Sequence, residues 1–130
     1  MNRSTVNDIV KFIRKRLAED EAAALAASSF HWSASKWSNE ANREFLVVAD
    51  ETSGAPAFGI KDQADAAHIV AHDPARIIRQ VKALRLIVDR CDGLIDHPSG
   101  DETTDIACED TLRDLVQIWT DHRDFQEKWA

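Results

Sequence analysis

Apolar residues first recur at helical spacing. Val6, Ile9, Val10, Ile13 and Leu17 fall three or four positions apart, on one side of a helix predicted over 5–28. Thr5 and Asp8 have capping-box-like spacing at its start, with Asp8 near the positive end of the helix dipole. Lys11, Arg14, Lys15 and Arg16 lie mostly off the stripe, and the alanine run 22–27 prolongs the helix through its high intrinsic propensity. Ser28 and Ser29 are its expected end.

The period then changes. Phe45-Leu46-Val47-Val48 and Pro56-Ala57-Phe58-Gly59-Ile60 are short β-favouring runs on either side of the turn residues Thr52-Ser53-Gly54. Trp32 or Trp37 supplies a third strand. A two-stranded hairpin is marginal alone, so these strands are expected to pack on helices.

From Asp62 the helical period returns. Asp62-Gln63-Ala64-Asp65 resembles a cap, and a short helix over 66–72 follows. Asp73-Pro74 stops it, because proline disfavours helical geometry at the preceding residue yet suits the first position of a new helix. That new helix is predicted over 74–91, with Ile77, Val81, Leu84, Val88 and Cys91 on one stripe and Gly93 as its stop. The polar stretch 92–105 reads as a flexible loop. A last helix from about Asp105 carries Cys108, Leu112, Leu115, Val116 and Trp119 on its apolar face, and Phe125 and Trp129 close back on the core. The expected fold is α+β, a single domain over 1–130 with four or five helices packed on a small antiparallel β-hairpin or three-stranded sheet.

Composition narrows the class. The chain has 130 residues, 16 Lys+Arg against 23 Asp+Glu, a net charge of −7 and 44% hydrophobic residues. A self-sufficient core is feasible at this length. No run approaches the roughly 18 apolar residues of a membrane span, and the opening Met1-Asn2-Arg3-Ser4 leads into an amphipathic stretch rather than a secretory signal. With Cys91 and Cys108 alone, a disulfide-dense scaffold is excluded and a cytoplasmic location with reduced thiols is expected. A pI near 5.1 argues against general polyanion binding.

Candidate chemistry is sparse. His68 and His72 stand four apart, as zinc-binding histidines do on a helix, with Asp65 and Asp73 as neighbouring carboxylates. The glutamate that such sites use as a base is missing, so helix-end packing of the imidazoles and capping by Asp73 are the plainer expectation. Cys91, His97, Cys108 and His122 form a second set without paired ligand spacing, and both thiols fall on apolar stripes. The helix over 74–90 carries Arg76, Arg79, Lys82, Arg85 and Arg90 against Asp89 alone. It superficially resembles a recognition helix, although Asp73-Pro74 leaves almost no turn before it. Glu109, Asp110, Asp114 and Asp121 of the last helix are expected as internal partners for these cations. Among four tryptophans, Trp119 belongs to the core stripe, whereas Trp32 and Trp37 are candidate interface anchors.

Three segments carry a resemblance. These are Asp8-Ile9-Val10 through Arg16-Leu17-Ala18-Glu19-Asp20-Glu21, then Ala64-Asp65-Ala66-Ala67-His68-Ile69-Val70-Ala71-His72-Asp73-Pro74-Ala75-Arg76 followed by Ile77-Ile78-Arg79-Gln80-Val81, and Thr111-Leu112-Arg113 with Asp121-His122-Arg123-Asp124-Phe125-Gln126-Glu127-Lys128-Trp129. Together they resemble a family of small proteins of unknown function spread through actinobacteria and their phages. The resemblance implies one globular fold and a bacterial or phage cytoplasm, and no activity, cofactor or catalytic residue. The chain is therefore expected to be a non-enzymatic interaction or regulatory accessory protein, with no catalytic, cofactor or metal residue assigned. Trp32, Trp37, Arg76 and Arg79 are its candidate partner contacts. The expected partner is a protein, with a homodimer among the options, and neither nucleic acid nor membrane. The alternatives are a small metal-dependent hydrolase or nuclease using His68 and His72, and DNA binding through the helix 74–90.

Overall fold

The computed structural model describes residues 1–27, 32–38, 43–48, 56–60, 62–96 and 101–130, with the backbone alone over 33–38, 43–48 and 56–60. The first helix, α1 (Arg3–Ala26), starts earlier than its pattern suggests. Asn2, not Thr5, is the cap: its Oδ1 accepts from the Thr5 N–H at 2.8 Å, and its carbonyl accepts from the Val6 N–H at 3.2 Å.

Three short strands come next: β1 (Ser33–Ser38), β2 (Arg43–Val48) and β3 (Pro56–Ile60). They pair antiparallel in the order β1-β2-β3, with Ser33 opposite Val48, Phe45 opposite Ile60, and an irregularity between Val47 and Val48. The proposed turn at Thr52-Ser53-Gly54 lies outside the described residues. α2 (Gln63–Ala71) follows, capped by the Asp62 carboxylate, which accepts from the N–H groups of Ala64 and Asp65. α3 (Pro74–Asp96) and α4 (Glu102–Val116) complete the α-helices. Two 3₁₀ turns, Gln117–Trp119 and Glu127–Trp129, end the chain.

The expected α+β class is corrected. Among the described residues the core is all-helical, built on four α-helices: every buried side chain lies on a helix or a helical turn. The reason lies in supply. Helical stripes present Val6, Ile9, Ile13, Leu17, Val81, Val88, Leu112 and Val116 at 2% exposure or less, so helix packs on helix. The paired strands are inserted between α1 and α2 in the chain and lie against α2.

The loop expected over 92–105 is also corrected. α3 runs through Gly93 to Asp96, and Asp101 already caps α4, accepting from Thr103 N, Thr104 N and the Thr104 hydroxyl. Gly93 stops nothing because the last turn of α3 is held from outside. Arg3 pairs with Asp92 and Asp96, and Arg14 pairs with Asp89 at 3.0 Å and Asp92 at 3.2 Å. These links reach 75 or more positions along the chain, beyond any local stop signal.

By contact density the chain forms two units, Met1–Glu19 with Lys82–Ala130, and Asp20–Val81. The first holds the larger part of the core, including Cys91, Cys108 and Trp129. The second holds the strands, α2, and the buried Ala24, Ala66 and Val81.

Candidate functional site

In the unit Asp20–Val81, the end of α1 passes the start of α3. Small side chains at Ala23, Ala24 and Ala27 leave room there. With Trp32, Pro74 and Ile77 they enclose an apolar pocket of about 330 Å³, rimmed by Asp20 and His72. Trp32 is half-buried at this pocket. Its backbone N–H donates to Oδ2 of Asp73 at 3.2 Å, while Oδ1 of the same carboxylate accepts from the Arg76 N–H at 2.9 Å. One side chain thus caps α3 and holds Trp32 in place.

The neighbouring imidazoles are arranged for architecture. His72 caps the C-terminus of α2, with its backbone N–H on the carbonyls of Ile69 and Val70. Its Nδ1 lies 2.7 Å from the His68 carbonyl oxygen, and the two rings sit 4.4 Å apart at 40°. Both histidines and Asp65 are exposed. Asp73 is engaged by two N–H donors. Among the described residues, no three His, Cys, Asp or Glu side chains gather as metal ligands.

Of the basic residues on α3, Arg76 donates to the Ala71 carbonyl at 3.1 Å, tying the end of α2 to the next helix, and Arg79 is exposed. The α1–α3 ion pairs described above engage the acids of α3, Asp89, Asp92 and Asp96, rather than its cations. The side chain of Trp37 and the whole of His97 lie outside the described residues.

In the other unit the structure gathers residues that sequence reasoning left apart. Arg16 is only 2% exposed, although its charge suggests an outward position. Its guanidinium sits 5.0 Å over the Phe12 ring, reaches both ring nitrogens of His122, and pairs with Glu19 at 3.0 Å and Asp124 at 3.6 Å. Phe12 meets Trp119, His122, Phe125 and Trp129 with centroids 5.1–6.4 Å away. The helical period carries a signal for this: Arg16 follows Ile9 by seven residues, so at about 100° per residue it falls within roughly 20° of Ile9, at the edge of the stripe. The cluster can orient the chain end against α1. Its cation is matched by two carboxylates.

Cys91 of α3 and Cys108 of α4 are both buried. Burial, and then a hydrogen bond to Cys108, push the Cys91 thiol up to about 11.

Comparison with known proteins adds one match. A family model described as a family of unknown function, DUF6221, matches residues 6–130. No curated protein and no solved structure matches the chain. No helix among the described residues is long and apolar enough to cross a membrane.

Proposed function

The chain belongs to the DUF6221 family, whose function is unknown, and from that premise we propose that it is a non-enzymatic interaction protein that receives an apolar side chain of a protein partner beside Trp32. The observation that carries this reading is the pocket walled by Ala23, Ala24, Ala27, Pro74, Ile77 and Trp32. A tryptophan at a small apolar recess is the kind of residue that anchors interfaces. Of the polar groups around Trp32, His72 caps α2 and Asp73 caps α3, and the pocket lining is otherwise mostly apolar, which favours binding. Motif 64–76, which ends at the pocket wall, supports an actinobacterial or phage origin through the resemblance it carries.

Affinity capture with the full chain, compared with Trp32→Ala and Ala27→Leu, tests this. Wild type should retain a discrete protein partner that both variants lose while their helical circular dichroism is unchanged. Equal capture by all three chains, or turnover of a nucleotide or nucleic acid with no partner retained, would overturn the reading.

A further inference from the structure

We infer that the cleft between α1 and the last 3₁₀ turn binds a small aliphatic monocarboxylate, whose oxygens accept from Trp129 Nε1–H and Arg16 Nε–H. The cleft has a volume of about 240 Å³, with Phe12, Arg16 and Trp129 in its lining. All of its residues belong to the unit formed by Met1–Glu19 and Lys82–Ala130, and none of them lines the pocket beside Trp32.

Arg16 and Trp129 are each 2% exposed, and each carries an N–H that is buried without a hydrogen-bond partner among the described residues. The remaining guanidinium nitrogens of Arg16 are taken, Nη1 by His122 and Asp124 and Nη2 by Glu19. Both donors surround one ring: the Phe12 centroid lies 5.1 Å from that of Trp129 and 5.0 Å from Cζ of Arg16. Buried N–H groups are rarely left unpaired, and one that is marks a place where an acceptor is missing. Two of them beside one cleft are matched by the two oxygens of a single carboxylate.

Charge and shape narrow the ligand. The lining sets Lys11, Lys15 and Arg16 against Asp8 and Asp124, three cations to two anions, so a monoanion balances it and a dianion overshoots. Lys11 and Lys15 are exposed, stand four apart on α1 and make no ion pair among the described residues. They attract the anion, while Phe12 and Trp129 offer apolar surface to an aliphatic stem that hydrated phosphate lacks. Neither unpaired nitrogen is open to bulk water, so binding includes a local opening of the cleft. Lys11, Lys15 and Gln126 in its lining are exposed, long side chains that change rotamer readily. Once seated, the carboxylate keeps charge-assisted hydrogen bonds that water does not contest.

The test titrates the full, isotope-labelled chain with sodium butyrate at constant ionic strength and follows its proton–nitrogen spectrum. The indole N–H signal of Trp129, assigned by its loss in Trp129→Phe, should shift and saturate with a dissociation constant on the order of 1 mM. Trp129→Phe keeps a ring but removes the donor, and should bind at least about tenfold more weakly by the backbone signals of Phe12 and Arg16. The surface double variant Lys11→Gln with Lys15→Gln leaves the core intact and should weaken binding by about threefold or more. Inorganic phosphate and sodium chloride at the same ionic strength should leave the Trp129 signal in place. The inference is overturned by a signal that does not move up to about 50 mM butyrate, by an equal shift with phosphate or chloride, or by unchanged affinity in either variant.

Discussion

Asp73 holds Trp32 to the start of α3 with a single carboxylate: Oδ1 accepts from Arg76 N at 2.9 Å and Oδ2 from Trp32 N at 3.2 Å. Helix capping and the proposed partner pocket are therefore not separable features of this segment. Removing the carboxylate frees a helix end and the backbone of the pocket's tryptophan at once.

Asp73→Ala should cost about 1–3 kcal/mol, combining a lost cap with a second lost hydrogen bond. The urea midpoint should fall accordingly, and partner capture should fall with it. Asp73→Asn keeps acceptor oxygen at the cap and should recover most of the stability. Equal stability of the alanine variant and wild type would remove the capping role.

Arg16 allows a sharper contrast. Its carboxylate partners, Glu19 and Asp124, are 54% and 51% exposed, so water can take over their solvation when the guanidinium is gone. Its Nε is buried without a partner. Arg16→Met, which refills the volume, should therefore stay within about 1 kcal/mol of wild type. Arg16→Ala should cost about 2–4 kcal/mol, because the stem packs on Phe12 and leaves a void. Chemical denaturation of both variants decides whether packing or charge is the dominant contribution.

Gly93 is an exposed helical residue with nothing within 4 Å of the position a Cβ would take. Gly93→Ala should stabilise the protein by about 0.5–1 kcal/mol through reduced backbone entropy in the unfolded chain. A lowered urea midpoint would mean that α3 does not continue past Cys91 as described.

Alkaline pH should weaken the fold through Cys91. The folded thiol is pushed up to about 11 from an ordinary 9.0, so the folded state keeps its proton where the unfolded chain releases it. The stabilising contribution is whole below pH 9.0 and is lost as pH rises to about 11. Melting temperature should drop across that window in wild type. Cys91→Ala should flatten the drop, measured relative to its own value at pH 8.

Much of the helical framework was legible. Val6, Ile9, Val10, Ile13 and Leu17 are all buried, as are Val81, Val88 and Cys91 on α3 and Cys108, Leu112 and Val116 on α4. The junction at Asp73-Pro74, the cap at Asp62 and the inward return of Trp129 also follow from local rules. These features depend on residues within one or two turns of each other, which is the range that periodicity and capping report.

The site was less legible. Trp32 stood out by residue type, but its pocket depends on Ala23, Ala24 and Ala27, which read only as a helix-favouring run. Arg16 reads as outward by its charge, while its seven-residue distance from Ile9 turns it towards the edge of the buried stripe. The end of α3 was misplaced because Gly93 is a local signal, whereas Arg3 and Arg14 act on Asp89, Asp92 and Asp96 from the opposite end of the sequence.

Sequence alone was enough to settle where most helices lie and which of their faces turn inward, since hydrogen bonding within a turn and the burial of an apolar stripe are properties of a single segment. Folding in three dimensions settled that those helices, not a sheet, supply the described core. It also placed Arg16 against His122 and Asp124. Such pairings join residues distant along the chain, and their energies depend on separation in space, a quantity that no local pattern encodes.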